Sequence, residues 1–349
     1  MDNNRRRYLN ILRKMNLQDE DVMNEALKKK GFYSESQTYP LSSLHFELTS
    51  HCNAFCKHCY NNSGAANNVN DEMTPNKWKE FSKYLVAHGG VFECLISGGE
   101  PLLLGDHLFD IMDVLRDDGT IFLLMTNGYL LNDEIAKRLK KYQYHWIQVS
   151  IDGATAQYHD SFRQTAGSWE KAVHGAKAIS ENGIPLKIAH CVTPYNLDDL
   201  DKMCDLAYSV GATSIMVGGV SLSGRTGDNR DLLLSDKDRK ILAEHIVYNR
   251  TRYEGRMRVK STNSVRHGLE NHAKRPRSGA VIRPNGDIRI DGMAPFVIGN
   301  LLRDDFTEVW ERKIDTCWDE PSVQKFISCF DVDDRNGIYV NYQGADIYL

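Results

Sequence analysis

From residue 42 to about 263, short apolar runs alternate with longer amphipathic stretches, and little chain separates them. The runs 43–49, 92–97, 121–126, 146–151, 185–193 and 213–220 are rich in Val, Ile, Leu or Phe, as strands buried on both faces should be. A seventh, weaker one covers 257–261. Between them, 76–88, 106–116, 133–141, 169–182, 197–210 and 236–253 carry apolar residues at helical spacing. Thr74-Pro75, Ser168, and Ser235 with Asp238 three residues later are helix-start signals. Such alternation predicts an α/β fold with a parallel sheet. Six right-handed strand–helix units curl into an incomplete barrel, a partial (β/α)6 TIM-like barrel whose active site is expected at the carboxyl ends of its strands.

Past residue 278 the pattern changes. Residues 280–290 read as a hairpin turning at Asn285-Gly286, followed by helical stretches over 305–313 and 322–328. The expected organisation is an N-terminal helical capping segment (1–41), the barrel (42–263) and a small C-terminal α+β extension (264–349). No repeat of solenoid period and no low-complexity linker interrupts it.

With 41% hydrophobic and 26% charged residues, a 349-residue chain can bury a large core. No apolar run reaches membrane-spanning length, and the charged start Met1-Asp2-Asn3-Asn4-Arg5-Arg6-Arg7 leads into no signal-peptide core, so a cytoplasmic protein with no membrane partner is expected. A net charge of −4 gives no electrostatic footprint for nucleic acid. Basic residues nevertheless crowd 250–277 and acidic ones the tail from Asp304 onward, which fits either a solvated face pairing with that tail or a cradle for an anionic substrate group.

The chemistry concentrates in Cys52, Cys56 and Cys59, a C-x3-C-x2-C run directly after the first strand. Three thiolates are one short of the four that close a structural zinc or an ordinary four-iron cluster, so a cuboidal cluster here keeps one iron open for chemistry. A tetrahedral zinc site completed by His51 or His58 is the alternative. Gly98-Gly99-Glu100-Pro101 follows the second strand, Thr126-Asn127-Gly128 ends the third, and Ser150 to Gly153 ends the fourth. All of these fall on one rim of the expected barrel.

The cysteine run and Gly98-Gly99-Glu100-Pro101 together resemble the radical S-adenosylmethionine (SAM) enzymes, which implies the same barrel, one [4Fe-4S] cluster held by Cys52, Cys56 and Cys59, and SAM chelated to the open iron. By that resemblance Gly98, Gly99, Glu100 and Pro101 contact SAM, with Glu100 accepting from its ammonium group. Ser150 and Asp152 bind ribose hydroxyls, Arg163 pairs with the methionine carboxylate, and Asn127 lies near the adenosine. Phe55 and Tyr60 are expected to shield the cluster. The extension resembles the SPASM and Twitch extensions in Pro284-Asn285-Gly286-Asp287, Gly299-Asn300 and Glu308-Val309-Trp310. Where that family has cysteines, this chain has residues near Ser278 and Asp291, and only Cys317 and Cys329 remain. Two thiolates cannot hold a second cubane without unusual partners.

The resemblance implies an enzyme that, given an electron from flavodoxin or ferredoxin, cleaves SAM to a 5′-deoxyadenosyl radical and abstracts a substrate hydrogen. A peptide of the ribosomally made natural-product type, or a small natural-product intermediate, is the expected substrate. Loss of auxiliary clusters favours a redox-neutral outcome such as epimerisation, with a thiol as hydrogen donor: Cys317 first, then Cys329, whereas Cys191 and Cys204 read as core residues. The alternatives are an epimerase, decarboxylase or dehydrogenase for an anionic sugar or nucleoside, and a non-catalytic metal-binding or docking protein.

Overall fold

The computed structural model describes residues 41–64, 71–88, 90–330 and 346–349. The expected capping segment 1–41 therefore lies outside the described residues except at its last position. Seven parallel strands run in sequence order: β1 (Leu41–Glu47), β2 (Val91–Ser97), β3 (Ile121–Thr126), β4 (Tyr144–Ser150), β5 (Leu186–Val192), β6 (Ser214–Gly219) and β7 (Arg258–Ser261). Helices connect them: α1 (Pro75–Ala87), α2 (Asp106–Asp117), α3 (Asp133–Leu139), α4 (Ala156–Arg163), α5 (Ser168–Glu181), α6 (Leu200–Ser209) and α7 (Asp236–Arg252). Leu44, Phe46, Ile96, Leu124, Ile147, Ile188 and Val217 are fully buried under those helices, which is why the strands read as nearly continuous apolar runs.

Local chemistry sets the helix starts. Thr74 Oγ1 accepts from Lys77 N at 3.3 Å with Pro75 in the first turn, and Ser235 and Asp238 form a reciprocal capping box at α7. Ser168 is not a cap. Gly167, at φ 71°, occupies that position, and the Ser168 hydroxyl donates to Asp160 instead. The sequence pattern did not separate α4, whose eight residues carry His159, Phe162 and Arg163 toward the interior.

The extension does not stand apart from the barrel sheet. After α8 (Val265–Ala273), strand β8 (Ala280–Ile282) pairs in parallel with β1, and β9 (Asp287–Arg289) and β10 (Phe296–Asn300) continue antiparallel outward to the short β11 (Ile347–Tyr348). Helices α9 (Phe306–Lys313) and α10 (Pro321–Ser328) cover this wing. At the position where the SPASM pattern has cysteine, Asp291 takes the His272 Nδ1 at 2.9 Å, while His272 packs on Trp318 at 4.8 Å. The basic segment does meet the acidic tail: Arg277 is clamped between Glu311 and Asp315. Arg258 and Lys260 instead line a cavity at the amino-terminal ends of the strands.

Candidate active site

Every strand of the barrel ends on the same rim, and there one cavity gathers Cys52, Cys56, Cys59, Gly98, Gly99, Asn127, Ser150, Asp152 and Arg163. The cysteine loop is held by backbone rather than by packing. Gly99 N donates to Thr49 O at 2.6 Å and Glu100 N to His51 O at 2.9 Å. A Cβ on Gly99 would sit 2.2 Å from the His51 carbonyl oxygen, so no side chain fits without moving the loop. From the far side Gly224, at φ 54°, approaches equally closely to the Cys59 carbonyl, and Arg225 donates from Nε to Cys56 O at 2.7 Å. Gly224-Arg225 thus brace the loop. Arg225 also covers the Phe55 ring at 4.0 Å, leaving Phe55 itself 44% exposed and its expected shielding role unsupported. Tyr60 does line the cavity.

Two expected SAM contacts are placed differently. Glu100 is fully buried and does not reach the cavity: its carboxylate accepts from Thr126 Oγ1 at 2.8 Å, Asn127 N at 2.7 Å and Leu102 N at 3.1 Å. It ties the turn after β2 to the end of β3, and Pro101 beside it opens a short 3-10 turn. Burial raises its pKa against those hydrogen bonds. The Arg163 guanidinium likewise grips Asp152 through Nε at 2.9 Å and Nη2 at 2.7 Å, with both residues on the cavity wall. Burial acts to raise the Asp152 pKa, but Arg163 and then His58 overcome it and hold the carboxyl well below its usual range. The other Asp152 oxygen accepts from Cys191 N at 2.9 Å.

His58 stacks on Phe162 at 4.2 Å, nearly parallel, and points Nε2 at Asp152 from 3.5 Å. Burial first, offset by Asp152, lowers its pKa to about 4, so the ring is neutral at pH 7. Asn127 donates to Asn53 Oδ1 at 2.7 Å and approaches Cys52 Sγ at 3.7 Å, orienting the first cysteine.

Cys317 and Cys329 are not brought to this cavity. Cys317 is buried in the extension, its thiol donating to Ile314 O at 3.4 Å, and Cys329 caps α10 in an exposed position. Cys204 is buried on the inner face of α6, as expected, but Cys191 lines the cavity with Sγ within 4.8 Å of ligand atoms of His58 and Asp152. Strand periodicity held the signal: Lys187, Ala189 and Cys191 share one face of β5, and a lysine there contradicts a purely apolar face.

The donor set suits an iron–sulfur cluster. Three free thiols converge on one cavity, and two guanidinium groups, those of Arg163 and Arg225, stand beside them to balance thiolate charge. Arg225 Nη2 is buried there with no hydrogen-bond partner among the described residues. Burial pushes the free Cys52 thiol up to about 12, so cluster uptake releases protons.

The radical SAM superfamily model matches residues 46–207. Mycofactocin maturase MftC of Mycobacterium tuberculosis is 30% identical over 288 residues, which cover 77% of this chain and 70% of that protein. The chain belongs to the radical SAM superfamily. AdoMet-dependent heme synthase of Methanosarcina barkeri is 29% identical over 290 residues, covering 76% and 81%. Among solved structures, Streptococcus suis SuiB bound to its precursor peptide SuiA aligns with a TM-score of 0.63 at 16% identity, over 89% of this chain and 71% of that one, which shows the shared fold. This radical SAM enzyme therefore belongs to a family that works with a [4Fe-4S] cluster and SAM. Among the described residues, no helix is long and apolar enough to cross a membrane.

Proposed function

We propose that this radical SAM enzyme modifies a peptide, or a related natural-product intermediate, by hydrogen abstraction with a redox-neutral outcome such as epimerisation. The observation that carries the reading is the convergence of Cys52, Cys56 and Cys59 on a cavity walled by Ser150, Asp152, Arg163 and Cys191. When bound, the reduced cluster and SAM supply a 5′-deoxyadenosyl radical able to take a hydrogen atom from the substrate. Cys52, Cys56 and Cys59 hold the cluster, and the Gly98-Gly99 backbone keeps their loop in place. Asp152, locked by Arg163, presents a permanent negative charge for hydroxyl or ammonium groups, and Ser150 adds a hydroxyl beside it. The likeness to SuiB, solved with a precursor peptide, and to a mycofactocin maturase supports a peptide substrate.

Cys191 takes the donor role expected of Cys317. Its thiol would return a hydrogen atom to the substrate carbon radical, and the resulting thiyl would regain one electron from the external donor, a flavodoxin or ferredoxin, and one proton from solvent. The test is reaction with a candidate precursor peptide in D2O. A product of unchanged mass but for one deuterium, formed with one 5′-deoxyadenosine each, supports the reading. Loss of two hydrogens from the peptide would make the reaction oxidative and overturn it.

A further inference from the structure

At the amino-terminal ends of β4 to β7, opposite the cysteine rim, lies a second cavity of about 860 Å³, within the ~300–1,000 Å³ of ordinary ligand sites. Its wall carries Lys187, Arg258 and Lys260, and no carboxylate among its described lining residues. Lys187 is 9% exposed, lies 4.1 Å over the Trp146 ring, and has no ion pair among the described residues. Burial, and then the nearby Lys260, pull its ammonium down to about 8. Tyr144, another lining residue, keeps its hydroxyl buried without a hydrogen-bond partner among the described residues. Arg258 and Lys260 are exposed at the mouth, so the burial cost falls on Lys187, and a buried ammonium beside an orphaned hydroxyl is costly unless an anion joins it.

The strand register explains the clustering. Lys187 pairs with Ser214, Ser214 with Arg258 and Met216 with Lys260, so β5 and β7, with β6 between them, deliver three cations to one end of the sheet. We propose that this basin is an oxyanion site, taking a carboxylate or phosphate group on Lys187 with Lys260 and Arg258 around it.

The basin faces the same barrel interior as the cysteine cavity. Trp146, Gln148 and Ser150 share one face of β4, and Lys187, Ala189 and Cys191 share one face of β5. Gln148, Ser150, Ala189 and Cys191 line the upper cavity, Trp146 and Lys187 the lower. Lys187 and Cys191 are four steps apart along the strand, roughly 13 Å. A substrate anchored by an anionic end at the basin would extend along Gln148 and Ala189 toward the rim. That the oxyanion belongs to the substrate rests on the reading of the rim proposed above; anion binding itself does not.

The test is calorimetric titration of the anaerobically reconstituted enzyme with inorganic phosphate and, separately, with acetate, at about 0.1 M ionic strength. Saturable binding of either anion, weakened at least tenfold in Lys187→Met and in Lys260→Met and restored toward wild type in Lys187→Arg, is expected. Preference for phosphate assigns a phosphorylated group, and comparable acetate binding a carboxylate. Substrate-free formation of 5′-deoxyadenosine should be the same in Lys187→Met as in wild type, so a failure at the cluster is read separately. Absence of saturable binding, or affinity unchanged in both methionine variants, overturns the proposal.

Discussion

Glu100→Gln separates a structural brace from a SAM contact. The side chain keeps its shape but loses its charge and one acceptor. Glutamine can still offer one oxygen to Thr126 Oγ1 and Leu102 N, which now share Oε1, but its amide nitrogen then confronts the half-buried Asn127 N–H that Oε2 accepts. An unsatisfied buried N–H costs about 1–3 kcal/mol, and two charge-assisted bonds weaken to neutral ones at about 1 kcal/mol each. Relief of the cost of burying a carboxylate offsets part of this, leaving a net loss of roughly 2–3 kcal/mol. The assay is urea unfolding of the iron-free protein, where no SAM effect can enter. A midpoint lower by roughly 1 M is expected for m near 2 kcal/mol/M. An unchanged midpoint, with SAM binding lost in the reconstituted variant, would refute the brace and restore Glu100 as a ligand to SAM.

Further expectations concern the loop and the extension. Gly99→Ala drives a methyl into the His51 carbonyl, and reconstituted iron should fall well below wild type while the barrel's far-UV circular dichroism persists. Cys317→Ala/Cys329→Ala should retain about four irons per chain by colorimetric assay, since neither thiol lines the rim; loss of iron would place a second cluster in the extension. Asp291 is held below its usual pKa because His272 and then the Met293 N–H outweigh the effect of burial. A depressed carboxyl contributes stability that is complete above the unfolded value, near 4, and is lost as pH falls below it. Asp291→Asn should therefore flatten the loss of unfolding midpoint on acidification below about pH 4, and an unaltered pH profile would contradict the pairing. Asp152→Asn leaves the buried Arg163 without its partner and should cost about 3–5 kcal/mol in the same unfolding assay.

The barrel was legible because its strands are buried on both faces, so Phe46, Ile96 and Leu124 fall in runs that no surface strand would tolerate. The cysteine spacing was legible for a different reason, as ligands from one short loop need no tertiary contact to be recognised. Partnerships across strands were not. Glu100 looked available because nothing local to it reveals the Asn127 N–H that closes on it from β3. Arg163 looked free for a ligand because its partner, Asp152, lies eleven residues back across a loop and α4. Cys191 and Lys187 alternate with buried side chains on β5, and only closure of the sheet shows that their shared face lines a cavity at each end of the barrel.

The central claim is that Cys52, Cys56 and Cys59 hold a cluster that cleaves SAM. It is tested most directly by anaerobic reconstitution with iron and sulfide, reduction with dithionite, and detection of 5′-deoxyadenosine from added SAM, comparing wild type with a Cys52→Ala/Cys56→Ala/Cys59→Ala variant. The nucleoside should form with wild type alone, from protein carrying about four irons per chain. A folded wild-type protein that takes up zinc, binds no iron and leaves SAM intact would contradict the account.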